Sequence, residues 1–315
     1  MTTYIIRRLL QAIPTVFIAS VLVWGMVYAL PGDPVLALLG EEPNPEAVVA
    51  LRERLGLDRP LVAQYTTWLG NVLEGNLGDS YFGGEAVVDR IQRRVLPTVQ
   101  LTALALLFAL LLATPIVLFG ALWPQSIAGR VVSVQSAVSL SVPTFWIGIL
   151  FILFFAVRQP WFPAVSDYHP FFQSPWLALR NTFLPALTLG IFVSAIFGRF
   201  LRQALTDVLN KDYVRTARAK GLREANVVGR HAMRNALLPF VTILGLQVSS
   251  FISGSVVTES VFNYPGLGRL IYTAILQRDY ALVQGTTLII VVTVTFITLI
   301  VDILYAYLDP RISYS

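Results

Sequence analysis

The chain contains no cysteine. That excludes disulfide scaffolds, thiolate zinc sites, iron–sulfur clusters and cysteine nucleophiles. Histidine is almost as scarce: His169 and His231 are the only two, so three-histidine sites do not fit within one chain. Lysine occurs only as Lys211 and Lys220, followed by Asp212 and Gly221. A phosphate-cradling P-loop needs Gly-Lys followed by Ser or Thr, so the chain has no ATPase site of that kind. Charge is also in short supply: only 13% of the 315 residues are charged, against about a quarter in soluble domains. A soluble enzyme of this size could not cover its surface with so little charge. Intrinsic disorder is excluded as well, because 56% of residues are hydrophobic and the mean hydropathy is +0.68. The composition is that of an integral membrane protein.

A helix that spans a bilayer needs about 20 largely apolar residues. Charge-free windows of that order run over Leu9–Pro31, Val95–Gly129, Val131–Val157, Asn181–Gly198, Asn235–Thr258 and Tyr280–Val301, which predicts six transmembrane helices. The second window is too long for one span, and Trp123-Pro124-Gln125 supplies a turn, so that helix is expected from near Thr98 to near Leu122. The third is expected to begin just past Arg130. Arg7 and Arg8 precede the first window as in a signal peptide, but the run to Leu30 is too long and no small-x-small cleavage site precedes Pro31. The first helix therefore reads as uncleaved.

Orientation follows from basic residues near the helix ends. The Arg199–Arg234 stretch holds nine basic residues and only three acids, Asp207, Asp212 and Glu224. Placing it in the cytoplasm puts both termini inside as well. The long outer loop Gly32–Leu96 then carries ten acids against six arginines, three of which (Arg90, Arg93, Arg94) precede the second helix. Within it, Pro45–Leu57 reads as a short amphipathic helix. Leu61–Leu77, with Tyr65, Trp68, Leu69 and Val72, suits a membrane interface or a docking surface. Two roles stay open for this loop: a plug over the bundle or a partner-docking element.

The cytoplasmic stretch has local punctuation. Asp212 is placed as an N-cap and Gly221 as the left-handed residue that ends a helix. The face made by Tyr213, Ala217 and Gly221 has little bulk beyond the tyrosine, so another surface could approach the backbone there. A second helix is expected from Glu224, climbing through Arg230, His231 and Arg234 into the fifth span. On these grounds alone a solvated positive-inside loop and a docking element are equally good readings.

Several motifs extend this reading. Arg215-Thr216-Ala217, Gly221 and Ala236-Leu237-Leu238-Pro239 follow the spacing of Glu-Ala-Ala, three residues, Gly, then Ile-x-Leu-Pro. The stretch resembles the characteristic cytoplasmic loop of binding-protein-dependent ABC transporter permeases. The missing Glu and first Ala are typical of the branch that imports dipeptides, oligopeptides and nickel, where Asp-Tyr-Val-Arg-Thr-Ala-Arg-Ala-Lys-Gly reads almost as at 212–221. Arg223 stands where that branch often has a Ser cap. Pro31-Gly32-Asp33-Pro34, Leu55–Pro60, Gly75–Ser80, Ser141–Trp146, Glu259–Gly268, Arg278-Asp279-Tyr280 and Asp309-Pro310-Arg311 extend the resemblance over the whole chain, in order. The chain resembles the first permease subunit of dipeptide-type systems.

The resemblance implies an all-α membrane protein with the type I ABC importer permease fold, multi-pass in the prokaryotic plasma (inner) membrane. It implies an N-terminal helix plus extracytoplasmic loop over 1–97 and a five-helix transmembrane domain over 98–308 with a coupling loop at 203–234. The implied partners are a homologous second permease, two ATPase subunits and an extracytoplasmic substrate-binding protein, within the lipid bilayer and without nucleic acid. The coupling helix implied to dock on an ATPase comprises Asp212, Tyr213, Arg215, Thr216, Ala217, Lys220 and Gly221, with Glu224 beyond it. No residue is catalytic, no metal site is expected, and the chain carries no cofactor. ATP and Mg belong to the partner subunits. The cargo implied first is a dipeptide or oligopeptide; nickel, glutathione and oligosaccharides are alternatives in the same branch. Pathway-lining candidates are Ser141, Pro143, Trp146, Ser249 and Ser253, although small and hydroxyl residues serve helix packing equally well.

Other classes fare worse. Gly266-Leu267-Gly268 lacks the third glycine and the strand–helix setting of a dinucleotide fingerprint. An intramembrane aspartyl protease needs two facing carboxylates, and the six windows contain none. Asp302, just beyond the last window, reads as the only acid near a helix core and as a helix-end acid paired with a cation. An ion-coupled secondary transporter is the strongest rival, but no persuasive internal repeat relates the two halves. In it, Asp302 would carry the coupling.

Overall fold

The computed structural model describes residues 2–29, 34–39, 44–54, 56–122 and 141–308. Among these residues the chain is helical, joined by turns and by one isolated antiparallel bridge between Asp79 and Ala86. In chain order the helices are α1 Thr2–Ala29, α2 Pro34–Leu39, α3 Pro45–Arg54, α4 Leu61–Leu73, α5 Val87–Leu122 and α6 Thr144–Ile152, the last continued by a π turn over Leu153–Arg158. They are followed by α7 Pro175–Leu209, α8 Asp212–Ala219, α9 Glu224–Asn226, a second π turn Val227–Ala232, α10 Met233–Gly254, α11 Val256–Val261, α12 Leu267–Gln277 and α13 Tyr280–Leu308.

Among the described residues four stretches are long and apolar enough to cross a membrane: Ile5–Met26, Val87–Leu118, Pro175–Leu209 and Tyr280–Leu304. Thr144–Arg158 is a shorter apolar helix. Met233–Gly254 has 22 residues, about 33 Å at the helical rise. Each expected span whose residues are described therefore falls on a helix, but the ends move. The second starts at Val87 rather than near Thr98, because Arg90 reaches Asp279 and Arg93 reaches Glu85 without breaking the helix, and Pro97 is accommodated inside it. The fourth extends well past both ends of its window and opens with Pro175 at a position where a missing N–H costs nothing. The fifth stops at Gly254, so that Glu259 belongs to the separate helix α11. The start of the third span, the Trp123–Gln125 turn, Pro31-Gly32-Asp33 and Asp309-Pro310-Arg311 lie outside the described residues.

The core is built by α5 against α7. Leu101, Ala105, Ala109, Ala113 and Val117 recur every fourth residue along α5, and all are buried. They face Ala186, Leu189, Val193, Phe197, Leu201 and Leu205 of α7. Lipid tails are as apolar as leucine, so helices in a membrane gain by close backbone approach rather than by escaping water. The alanine stripe permits that approach, and Gly190 marks its tightest point. A Cβ there would sit 2.8 Å from the Phe108 Cβ and 3.0 Å from the Ala105 carbonyl oxygen. α10 packs on α7 and α13, and α13 packs on α1. Gly148 of α6 makes room for Phe262, whose ring would lie 3.0 Å from an added Cβ.

The segment between α1 and α5 is ordered by helices of its own. α3 forms where a short helix was expected, ending at Arg54, and the Leu61–Leu77 stretch, expected as an interface or docking surface, is helical as α4 as far as Leu73. α4 lies along α1: the Tyr65 hydroxyl shares a 2.8 Å hydrogen bond with Ser20 Oγ, and its ring sits 5.6 Å from that of Trp24 and 6.4 Å from that of Phe17.

Candidate functional site

Three places carry the chemistry: a helical hairpin after α7, a cavity between α7 and α10, and a pair of buried carboxyls at the far end of the bundle.

In the hairpin, α8 begins at Asp212. Lys211 occupies the cap position without a side-chain capping bond, which corrects the expectation for Asp212. Lysine offers no acceptor, whereas Asp212 in the first turn meets the positive end of the helix dipole. The helix ends as expected. Gly221 has φ +74°, its N–H donates to the Arg218 carbonyl at 2.9 Å, and that of Leu222 to the Ala217 carbonyl at 3.4 Å. Beyond the turn, Arg218 grips Glu224 with both arms of the guanidinium, at 3.1 Å and 2.6 Å. This pairing holds the Glu224 carboxyl below its ordinary value and raises the guanidinium. Arg223 precedes α9 with no side-chain cap, as its lack of an acceptor dictates.

Of the face made by Tyr213, Ala217 and Gly221, only Ala217 is turned inward; Tyr213 and Gly221 stay exposed. Val214 and Ala217 are buried against Val227, with Val208 and Leu209 closing the cluster. Ala217 thus lets α8 pack closely on its own chain, which corrects its reading as an open contact surface. Tyr213 accepts a 2.8 Å hydrogen bond from the Asn235 amide, tying α8 to the foot of α10. The free face comprises Asp212, Arg215, Thr216, Ala219 and Lys220, all exposed. Asp212 and Arg215 pair at 3.7 Å with side chains 97% and 74% exposed, a contact of little energetic weight. Nothing lies within 4 Å of a Cβ added at Gly221. The outcome is a short helix braced against its own chain, with a polar, uncovered outer face.

The cavity measures about 370 Å³ and is lined by Ser141, Val142, Pro143 and Thr144, by Leu189, Phe192 and Val193 of α7, and by Gln247, Ser250 and Phe251 of α10. Ser141 and Pro143 therefore line it, as does Ser250, one residue from the Ser249 candidate. Ser249 instead faces Thr298 of α13, with oxygens 3.4 Å apart. Trp146 is 51% exposed and lies away from the cavity. The Ser253 side chain lies outside the described residues. Gln247 was missed, because one amide among apolar residues has no signature until the helices are brought together.

The buried carboxyls were missed as well. Asp302 is not the only acid near a helix core. It pairs with Arg8 at 3.4 Å, as expected of a helix-end acid, and remains 28% exposed. Glu259 and Asp279, by contrast, are completely buried. Glu259 receives the Thr98 and Ser255 hydroxyls at 3.0 Å and 2.9 Å and the Arg269 N–H at 2.9 Å. Asp279 accepts from the Ser80 hydroxyl and from the Leu282 N–H at 3.2 Å, capping α13, with Arg90 3.6 Å away. Burial and the Asp279 charge push the neighbouring Tyr81 hydroxyl up to about 12. Both acids escaped the reading because each sits just outside a charge-free window, at the start or end of a helix. Their oxygens accept from donors within the chain, so each carboxyl fastens separate elements together. Among the described residues no group of three or more potential ligands could hold a metal ion.

An all-helical membrane chain with an uncovered polar hairpin and a cavity among its helices has the makings of a transport subunit. Residues 105–314 match the family described as binding-protein-dependent transport system inner membrane component, and residues 1–102 match its N-terminal family. The chain belongs to this family, the permeases of ABC importers, and is a multi-pass protein of the bacterial inner membrane. It is 40% identical, over all 315 residues and 100% of both chains, to the glutathione transport system permease protein GsiC of Escherichia coli O6:H1. The same protein of Pectobacterium atrosepticum is also 40% identical over the full length of both chains. A chain from the inward-facing MetNI methionine ABC transporter superposes with a TM-score of 0.58 at 17% identity, covering 70% of this chain and 96% of that one, so the fold is shared.

Proposed function

We propose that this chain forms a translocation pathway together with a homologous second permease, that two separate ATPase subunits drive it, and that an extracytoplasmic binding protein delivers a short peptide. The observation that carries this reading is the α8 hairpin. It is braced by the Arg218–Glu224 grip and the Tyr213–Asn235 bond, yet it leaves Asp212, Arg215, Thr216 and Lys220 uncovered. A rigid short helix that presents polar side chains transmits rigid-body motion from a partner without deforming. ATP and Mg would bind on the partner subunits. α1, α5, the segment containing α6, α7, α10 and α13 would supply six spans, with both termini and α8 in the cytoplasm. The division would fall between an N-terminal helix with its outer loop over 1–97 and a five-helix unit over 98–308.

The cavity lined by Ser141, Pro143, Gln247 and Ser250 would form part of the pathway wall, its few polar groups set among apolar ones. Full-length relatives named for glutathione transport support a peptide-sized cargo, and glutathione is the second reading that those names favour.

The test is capture of the chain from its native membrane in mild detergent, followed by uptake of labelled dipeptide or glutathione into vesicles carrying the recovered complex. Recovery of a second permease and ATPase subunits, with uptake that requires ATP, is the expected result. Recovery of the chain alone, with uptake driven by a proton gradient and abolished by Asp302→Asn, would replace the proposal with an ion-coupled carrier.

A further inference from the structure

A second cavity, of about 400 Å³, lies where α1, α4 and the start of α13 meet. Trp24 and Tyr28 of α1, Trp68 of α4 and Gln284 of α13 line it, together with Arg54 and Arg59. Among the described residues no acidic side chain lines it. Neither arginine has a carboxylate partner among the described residues.

The depth of this cavity follows from α4. Tyr65 is bonded to Ser20, which lies six residues inside the Met26 end of the apolar stretch Ile5–Met26. At the helical rise that is about 9 Å below the end of the stretch. α4 therefore lies beside the membrane-spanning part of α1 rather than above it. Its apolar residues stay uncovered: Leu61 is 58%, Val62 75% and Leu73 80% exposed. Tryptophan and tyrosine concentrate at the level of lipid headgroups, where a flat amphipathic ring meets both water and chain. Paired guanidinium forks match the oxygens of a phosphate.

We infer that this cavity binds the headgroup of an anionic phospholipid. The phosphate sits between Arg54 and Arg59, Trp24 and Tyr28 flank the glycerol, and the acyl chains run over Leu61, Val62 and the exposed Ile18 and Leu22 of α1. The volume admits a headgroup and no more. The inference rests on the reading of α1 as a span, and it seats α4 in the outer leaflet under the orientation proposed above. Bound lipid would fasten the segment between α1 and α5 to the bilayer surface.

The experiment uses the full chain with whatever partners it retains, reconstituted in nanodiscs of equal parts phosphatidylglycerol and phosphatidylcholine and released for native mass spectrometry. One retained phosphatidylglycerol per chain, in preference to phosphatidylcholine, is expected. Arg54→Gln with Arg59→Gln should reduce that retention about tenfold, while Arg158→Gln, whose side chain lies over Phe154 and takes no part in the cavity lining, should leave it unchanged. Equal retention of both lipids by the unaltered chain would overturn the inference without any variant. Unchanged retention in the double variant would also overturn it. Loss of binding-protein capture by the double variant, with lipid retention intact, would assign the cavity to a protein partner instead. The readout is a bound mass and needs neither transport nor ATP, so its failure is separable from failure of the importer proposal.

Discussion

Glu259 offers a sharp test of how the bundle is fastened. Its carboxyl is fully buried and gathers donors from three elements: Thr98 of α5, the Ser255 hydroxyl just before α11, and the Arg269 and Gly268 backbone N–H groups of α12. Thr98 Oγ1 in turn accepts the Leu267 N–H at 2.8 Å. Glu259→Ala strands these donors in the interior, at about 1–3 kcal/mol for each one that finds no new partner. Some will reach water or each other, so a total of about 3–5 kcal/mol is expected. At roughly 2 °C per kcal/mol in a chain this large, the apparent melting temperature in detergent should fall by about 6–10 °C. Glu259→Gln keeps one oxygen for the backbone N–H groups, and its amide can donate to hydroxyls that rotate, so about 2–4 °C is expected.

The sharpest part of the test is Gly266. Its φ of −99° suits any residue, so only space demands glycine there. A Cβ would sit 2.3 Å from the Glu259 carboxyl carbon, which bonds from three sides prevent from swinging away. Gly266→Ala alone should cost about 1–3 kcal/mol by overpacking. In the Glu259→Ala background the same methyl enters vacated space, so the double variant should melt higher than the sum of the single shifts predicts, by about 0.5–3 kcal/mol of coupling. Intrinsic tryptophan fluorescence during a thermal ramp measures all four proteins. Additive shifts, or a Glu259→Ala melting curve equal to the parent's, would refute this account of the site.

Other expectations follow from the same geometry. Gly190→Ala inserts a methyl against the Ala105 carbonyl and Phe108 at the tightest point between α5 and α7, and should lower the apparent melting temperature by about 2–6 °C. Gly221→Trp places a bulky side chain in a left-handed turn on the open side of the hairpin, and should leave the chain folded while uncoupling ATP hydrolysis from uptake in the reconstituted complex; normal uptake would remove α8 from the coupling role. The Glu224 carboxyl is held below its ordinary 4.5 by Arg218, so its contribution to hairpin order is present above that value and is lost as pH falls through the lowered one. Hydrogen exchange of the Gly221–Glu224 amides should therefore show protection that is flat from neutral pH downward until acid protonates Glu224, with Arg218→Gln removing the pH dependence.

Much of this protein is determined by local chemistry that a linear chain displays. Charge-free windows mark helices because a bilayer supplies no partners for a charge or an unpaired amide. Gly221 marks the end of α8 because an L side chain resists the left-handed turn. The ordered run of motifs from Pro31 to Arg311 pointed to the permease family, and the family matches agree.

What the tertiary structure decided concerns which faces meet. Ala217 is small on any helix, but only the fold of the hairpin onto Val227 turns it inward and leaves Arg215 and Thr216 outside. Arg90, Arg93 and Arg94 interrupted a hydropathy window without interrupting a helix, because backbone hydrogen bonds continue wherever the charged heads reach solvent or a partner such as Asp279. Glu259 stood in the sequence only as the start of the Glu259–Gly268 motif, because its donors come from 98, 255 and 269 and no periodicity joins them. The cavity under Arg54 and Arg59 likewise exists only because Tyr65 finds Ser20, 45 residues away, and draws α4 down along α1. Propensity and hydropathy act over a few turns of one helix, whereas burial of a carboxyl or the lining of a cavity depends on where separate helices come to rest.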